Sequence, residues 1–245
     1  MRVLTAGAPP AATTIERIEG ELGWVITQAY GLTETSPFIT ICESRPEHEK
    51  LLCAERSVIK ARQGVELLTS GELRVVDEEG HDIPQNGEAI GEIIVRGNAV
   101  MKGYYKDAEA TGEAMRGGWF HTGDAAAVHS DGYVEIRDRL KDVIISGGEN
   151  ISSVEVEGAL LRHPAVQEVA IVGMPDERWG EAPHAFVVLE AGATATETEL
   201  RNYARDHLAH FKCPQRIQFV SELPKTATGK VQKYVLRGKP AISKQ

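Results

Sequence analysis

The feature that most constrains this chain is a change of pattern near Arg139. Before it, short apolar runs are broken by glycines. After it, capped helices alternate with strands. In the first part LRVVDEEGHDIP reads as two extended stretches around an acidic turn at Glu79 and Gly80, and GEIIVRG and GYVEIRDR read as further strands bounded by Gly. The opening differs from the rest of this part. TTIERIEGEL has helical spacing and VITQAYG follows as a strand, so the chain begins like the end of a βα alternation.

In the second part Ser152 and Glu155 have capping-box spacing at the head of SSVEVEGALLRH, which Pro164 closes. EVAIVG and HAFVVLE read as strands, and Thr196 and Glu199 form a second capping box. Leu200, Tyr203, Ala204, Leu208 and Phe211 recur at helical spacing and predict one buried stripe ending before Pro214. RIQFV then completes a small sheet. The expected fold class is α/β and α+β: a βα segment and a β-rich subdomain (1–138), then a small α+β domain (142–245), with the boundary near Lys141.

Composition narrows the function classes. The net charge of -9 disfavours nonspecific nucleic-acid binding. Residues 1–140 carry 14 Lys and Arg against 23 Asp and Glu, whereas residues 141–245 carry 13 of each, with eight bases against one acid from Lys212 onward. A small basic stretch on an acidic protein suits an anionic small ligand or a solvated tail. No apolar run reaches membrane-spanning length, and MRVLTAGAPP lacks the apolar core of a secretory signal, so a cytoplasmic protein is expected. Cys42, Cys53 and Cys213 are odd in number and widely spaced, which fits reduced thiols rather than a disulfide framework.

PKTATGK, from Pro224 to Lys230, sets two lysines and a glycine in a short irregular segment. It is not a Walker loop, because Pro224 stands where the first glycine belongs and Val231 where Ser or Thr belongs. Read alone, it is a basic loop whose ammonium group can reach a phosphate or carboxylate.

AGAPP, YGLTE, GEIIVRG with MKGYYKDAEAT, GGWFHTGD, DGYVEIRDRLKDVIISGGENISSVEVE and LPKTATGK together resemble the adenylate-forming enzymes, in that family's order and over nearly the whole chain. The resemblance implies ATP-dependent activation of a carboxylic acid, fatty or related, through an acyl-adenylate, followed by transfer to CoA. It implies ATP, magnesium and CoA as cofactors and a carboxylic acid as partner, with no nucleic acid and no membrane span, and it leaves a homo-oligomer open. By resemblance Lys230 is the adenylation lysine, Tyr30 stacks on adenine, Thr33 contacts phosphate and Glu34 holds magnesium. Gly7, Ala8 and Pro9 line the adenine pocket. Asp124 and Arg139 hold the ribose, and 139–141, with Lys141, is the hinge between the end of the large nucleotide-binding domain (1–138) and the small mobile domain (142–245). Gly147 and Gly148 offer a wall without side chains to the pantetheine arm, and Trp179 lines the CoA site. In the family a Ser, Thr and Gly-rich phosphate loop lies upstream of AGAPP. Its absence from these residues leads to the expectation that the isolated chain is inactive, a non-catalytic nucleotide-binding fragment. An adenylation domain of another adenylate-forming enzyme is the other alternative.

Overall fold

A computed structural model describes residues 1–7, 10–226 and 229–238. The chain divides into two compact units between Arg137 and Asp138.

In the first unit, β1 (Arg2–Thr5), α1 (Ala12–Leu22) and β2 (Val25–Tyr30) form a unit in which the two strands run parallel. Helix α1 buries Ile15 completely and stops at Gly23, whose φ of 62° is the left-handed cap that glycine adopts without penalty. β3 (Thr40–Cys42), α2 (Cys53–Lys60) and β4 (Val65–Glu66) extend the sheet in the order β1-β2-β3-β4, the later pairs antiparallel. Glu19 of α1 accepts the Ile26 amide at 2.9 Å and pairs with the buried Lys60 of α2. One carboxylate thereby fastens both helices to β2.

The same unit holds β5 (Glu72–Val76), β6 (Gly91–Arg96), α3 (Ala108–Ala114), β7 (Phe120–Val128) and β8 (Val134–Arg139) up to Arg137, the last two residues of β8 opening the second unit, with the strands ordered β5-β6-β7-β8. Val75, Ile93, Val95, Ala126 and Val134 make its core together with Ile39. Tyr30 and Leu32 pack partly against that core, so the YGLTE segment rests on the second sheet as well as ending the first.

The second unit opens with the hairpin β9 (Ile144–Ser146) and β10 (Glu149–Ile151), followed by α4 (Ser153–Leu160), β11 (Val166–Asp176), β12 (Gly180–Leu189), α5 (Glu197–His207), β13 (Arg216–Phe219) and α6 (Lys233–Leu236). β11 and β12 form a long antiparallel pair, and β13 runs parallel to β12. Side-chain alternation gives the β11–β12 pair two apolar faces. Val169, Ile171, Ala185 and Val187 pack with Val156 and Leu160 of α4 and Leu200 and Ala204 of α5. Ala170 and Val188 pack on the other side with Leu223, and Val231 and Leu236 lie against them.

The Thr196–Glu199 capping box forms with both reciprocal bonds, and at α4 Ser152 accepts the Glu155 amide at 3.2 Å. One expectation fails. Phe211 is 48% exposed and lies outside the α5 stripe. The helix ends at His207 because Leu208 is extended (φ −132°), and this breaks the helical register three residues before the phenylalanine.

Candidate active site

The YGLTE loop is built around a residue that the sequence reading passed over. Thr35, almost fully buried, accepts the Leu32 amide at 2.9 Å and donates within reach of the Leu32 and Pro37 carbonyls. Gly31 lies so close to this turn that a Cβ there would stand 1.7 Å from the Pro37 oxygen, so only glycine fits. The turn exposes Thr33 and leaves Glu34 half-buried. The Glu34 carbonyl accepts the Met101 amide at 2.7 Å, and its carboxylate receives the Tyr104 hydroxyl at 3.1 Å. The MKGYY segment thus supports the YGLTE segment from the side.

Asp124 is 3% exposed on β7, and its Oδ2 accepts the Tyr30 hydroxyl at 2.6 Å. Two residues 94 positions apart are brought together as a charge-assisted hydrogen bond, a class short and strong enough to fix both side chains. The bulge in β7 that precedes Asp124, with Gly123 at φ 70°, is held by Glu92 of β6, which the sequence reading also passed over. Its Oε1 accepts the Gly123 amide at 3.0 Å, and its Oε2 meets His121 Nδ1 at 2.7 Å and Arg116 at 2.8 Å. Glu92 and Tyr104 both fall inside segments quoted above, and that was their only sequence signal. Gly7 follows β1 with φ 89°, while Ala8 and Pro9 lie outside the described residues.

Arg139 ends β8, and its carbonyl accepts the Asp142 and Val143 amides at 2.8 and 3.0 Å, so a tight turn places the exposed Lys141 at its tip. Gly147 and Gly148 are the two-residue loop of the β9–β10 hairpin, with φ of 61° and 88°, the positive pair that a type I′ turn demands. Gly147 is not open to a ligand in this conformation. The Trp179 ring fills the place of its side chain, 2.7 Å from where a Cβ would stand, and its amide donates to the Trp179 carbonyl at 2.9 Å. Nothing lies within 4 Å of a Cβ built on Gly148, so the open wall is at that residue alone. Arg178 stacks over the indole at 4.5 Å.

Lys230 is exposed at the end of a turn in which its carbonyl accepts the Thr226 amide at 2.8 Å and its own amide donates to Thr226 Oγ1 at 3.1 Å. Lys225 pairs with Glu168 of β11 at 2.6 Å. The turn is therefore backed by the sheet of the second unit, while Tyr30, Thr33, Glu34 and Asp124 gather in the first. Among the described residues no three His, Cys, Asp or Glu side chains form a metal cluster, and no helix is long and apolar enough to cross a membrane.

Residues 1–105 match the AMP-binding enzyme family, and residues 155–230 match the AMP-binding enzyme C-terminal domain. The probable acyl-activating enzyme 5, peroxisomal, of Arabidopsis thaliana is 50% identical over 97% of the chain and 43% of its own length. A probable CoA ligase of Humulus lupulus is 48% identical over 97% of the chain and 43% of its own length. The solved structure of the amide bond synthetase McbA from Marinactinospora thermotolerans superposes with a TM-score of 0.85 at 35% identity, over 97% of this chain and 46% of that one. The chain spans less than half the length of the curated relatives it matches. With both family matches in order along it and a shared fold, the chain belongs to the adenylate-forming superfamily of AMP-binding enzymes.

Proposed function

We propose that this protein supplies the nucleotide-handling residues and the mobile lysine of an acid–thiol ligase that converts a carboxylic acid, fatty or related, to its CoA thioester. The observation that carries this reading is the Tyr30–Asp124 pair, with Glu34, held by Tyr104, four residues further along the same loop. An aromatic ring, a buried carboxylate able to accept ribose hydroxyls and a second carboxylate on a rigid turn are what a Mg-nucleotide requires. Gly7, Ala8 and Pro9 would border the adenine, Thr33 the phosphates and Arg139 the ribose.

A carboxylate resists nucleophiles because of its charge and poor leaving group. Its oxygen attacks the α-phosphorus of ATP, pyrophosphate leaves, and the acyl-adenylate has AMP as a good leaving group. Lys230 would hold the carboxylate and α-phosphate oxygens as charge moves between them. The CoA thiolate then attacks the carbonyl carbon and AMP departs. Rotation about a hinge at 139–141 would exchange Lys230 for the Gly148 and Trp179 region between the two steps. A single carboxylate at Glu34, steadied by Tyr104, fits an ion that takes most of its ligands from phosphate and water. When bound, magnesium would neutralise the departing pyrophosphate.

Carboxylate-dependent ATP–pyrophosphate exchange tests the first half of this reading, and thioester formation across a panel of acids tests the second. Both are run on the chain alone and on the chain fused behind the amino-terminal half of a relative. Turnover by the chain alone removes the reading as a non-catalytic nucleotide-binding fragment, and absence of exchange in both forms rejects the ligase. The amide bond synthetase among the similar structures makes an amine the alternative acceptor, so amide formation is measured beside thioester formation. One relative is named peroxisomal, and cell fractionation tests the cytoplasmic expectation.

A further inference from the structure

Lys230 stands three residues before Lys233, and the segment carrying both ends in the four-residue helix α6. So short a helix has little stability of its own and depends on tertiary contacts. Lys233 reaches under α4, where its ammonium group meets Ser153 Oγ and lies 2.8 Å from Glu157 Oε1. Both side chains of this ion pair are largely buried, 15% and 17% exposed. Glu157 also accepts the Ile171 amide of β11 at 2.8 Å, and the Ser153 amide donates to Asp138 Oδ2 at 2.6 Å. One turn further on, Arg237 pairs with Asp142 at 2.7 Å, again with both partners mostly shielded. Asp138 and Asp142 bracket the turn that presents Lys141. Burial pushes the Glu157 carboxyl upward and Lys233 opposes this, so the carboxylate depends on its partner.

We infer that Lys233 and Arg237 are positioning residues for Lys230: their ion pairs fasten the lysine-bearing segment to Glu157 of α4 and to Asp142 among the first residues of the second unit. Lys230 then moves with the turn at Lys141 as one rigid arm rather than as a flexible loop. The inference rests on Lys230 acting in adenylation. Two exposed surface pairs would do little here, because exposed ion pairs are weak and yielding. These two are shielded, and Glu157 also accepts the Ile171 amide, so removing one member leaves a buried charge without compensation.

Hydrogen exchange of the 245-residue chain reads the fastening directly. In Lys233→Met and in Arg237→Met, amides in 224–238 should exchange at least tenfold faster, and faster still in the double variant. Amides of β11 and β12 should keep their rates, and Lys233→Arg should restore most of the protection. Unchanged exchange in 224–238, or loss shared equally by β11 and β12, overturns the inference. The milder Arg237→Met serves if Lys233→Met does not fold.

In the fused form, Lys233→Met should lower ATP–pyrophosphate exchange at least tenfold and leave thioester formation from preformed adenylate within about twofold. If Lys230→Ala abolishes exchange while Lys233→Met leaves it intact, the positioning role is wrong. If Lys230→Ala leaves it intact as well, the adenylation role of Lys230 is what fails.

Discussion

At the scale of single residues, the Tyr30 hydroxyl makes the tertiary bond that joins two motif segments. Tyr30→Phe removes a donor to a buried carboxylate, a loss worth about 1.5–3 kcal/mol, and urea unfolding followed in the first unit should show a drop of that size. Cys42 gives a second prediction. It is 1% exposed, and burial pushes its thiol from 9.0 to about 12. A thiol with a raised folded pKa contributes stability that is complete below the unfolded value and lost as pH climbs toward the folded one. Between about pH 9 and 12 this chain should therefore lose about 1.4 kcal/mol per pH unit that Cys42→Ala does not lose. Urea midpoints for the two proteins at about pH 8 and about pH 10.5 check it. Equal alkaline loss in both would assign the effect elsewhere.

At the scale of elements, local grammar was legible wherever a side chain answers its own backbone. Thr196 and Glu199 close their box as read, and Thr196→Ala should cost the second unit about 1 kcal/mol in denaturant unfolding. The strands GEIIVRG and EVAIVG, and the helix and strand of the opening, were legible from glycine punctuation and apolar runs, whereas the first strand, Arg2–Thr5, and its parallel pairing were not. Phe211 was misread because helical spacing persists in the sequence after the backbone has turned extended at Leu208. What holds the site was illegible for a different reason. Glu92 grips Gly123, His121 and Arg116 across two strands, and Tyr104 touches Glu34 across 70 positions, and neither pairing leaves a periodic trace. The two glycines of the β9–β10 loop looked alike in sequence but differ in space, since only Gly147 is covered by Trp179. Gly147→Ala strains a positive φ and pushes against the indole, so Trp179 emission should shift red and become easier to quench. The same substitution at Gly148 strains its own positive φ but meets no side chain within 4 Å, so the shift there should be clearly smaller.

At the scale of the whole molecule, the proposed division of labour between the units predicts an asymmetric defect. Lys230→Ala in the fused form should slow carboxylate-dependent ATP–pyrophosphate exchange by a hundredfold or more, the effect of losing about 2.7–4 kcal/mol of transition-state charge stabilisation. Thioester formation from preformed adenylate should persist, and equal loss of both would refute the division. Family membership was legible because six short segments fall in order, and order survives where any one segment is weak.

The second unit covers one face of its long strand pair with helices that end before Ile217, and the other face with residues from Val220 onward. On a ribosome these two layers are made one after the other, and the helical layer can settle before the last strap of chain has been translated. Lys230 belongs to that strap. A nascent or prematurely terminated chain could thus present a folded scaffold that has not yet received its reactive lysine.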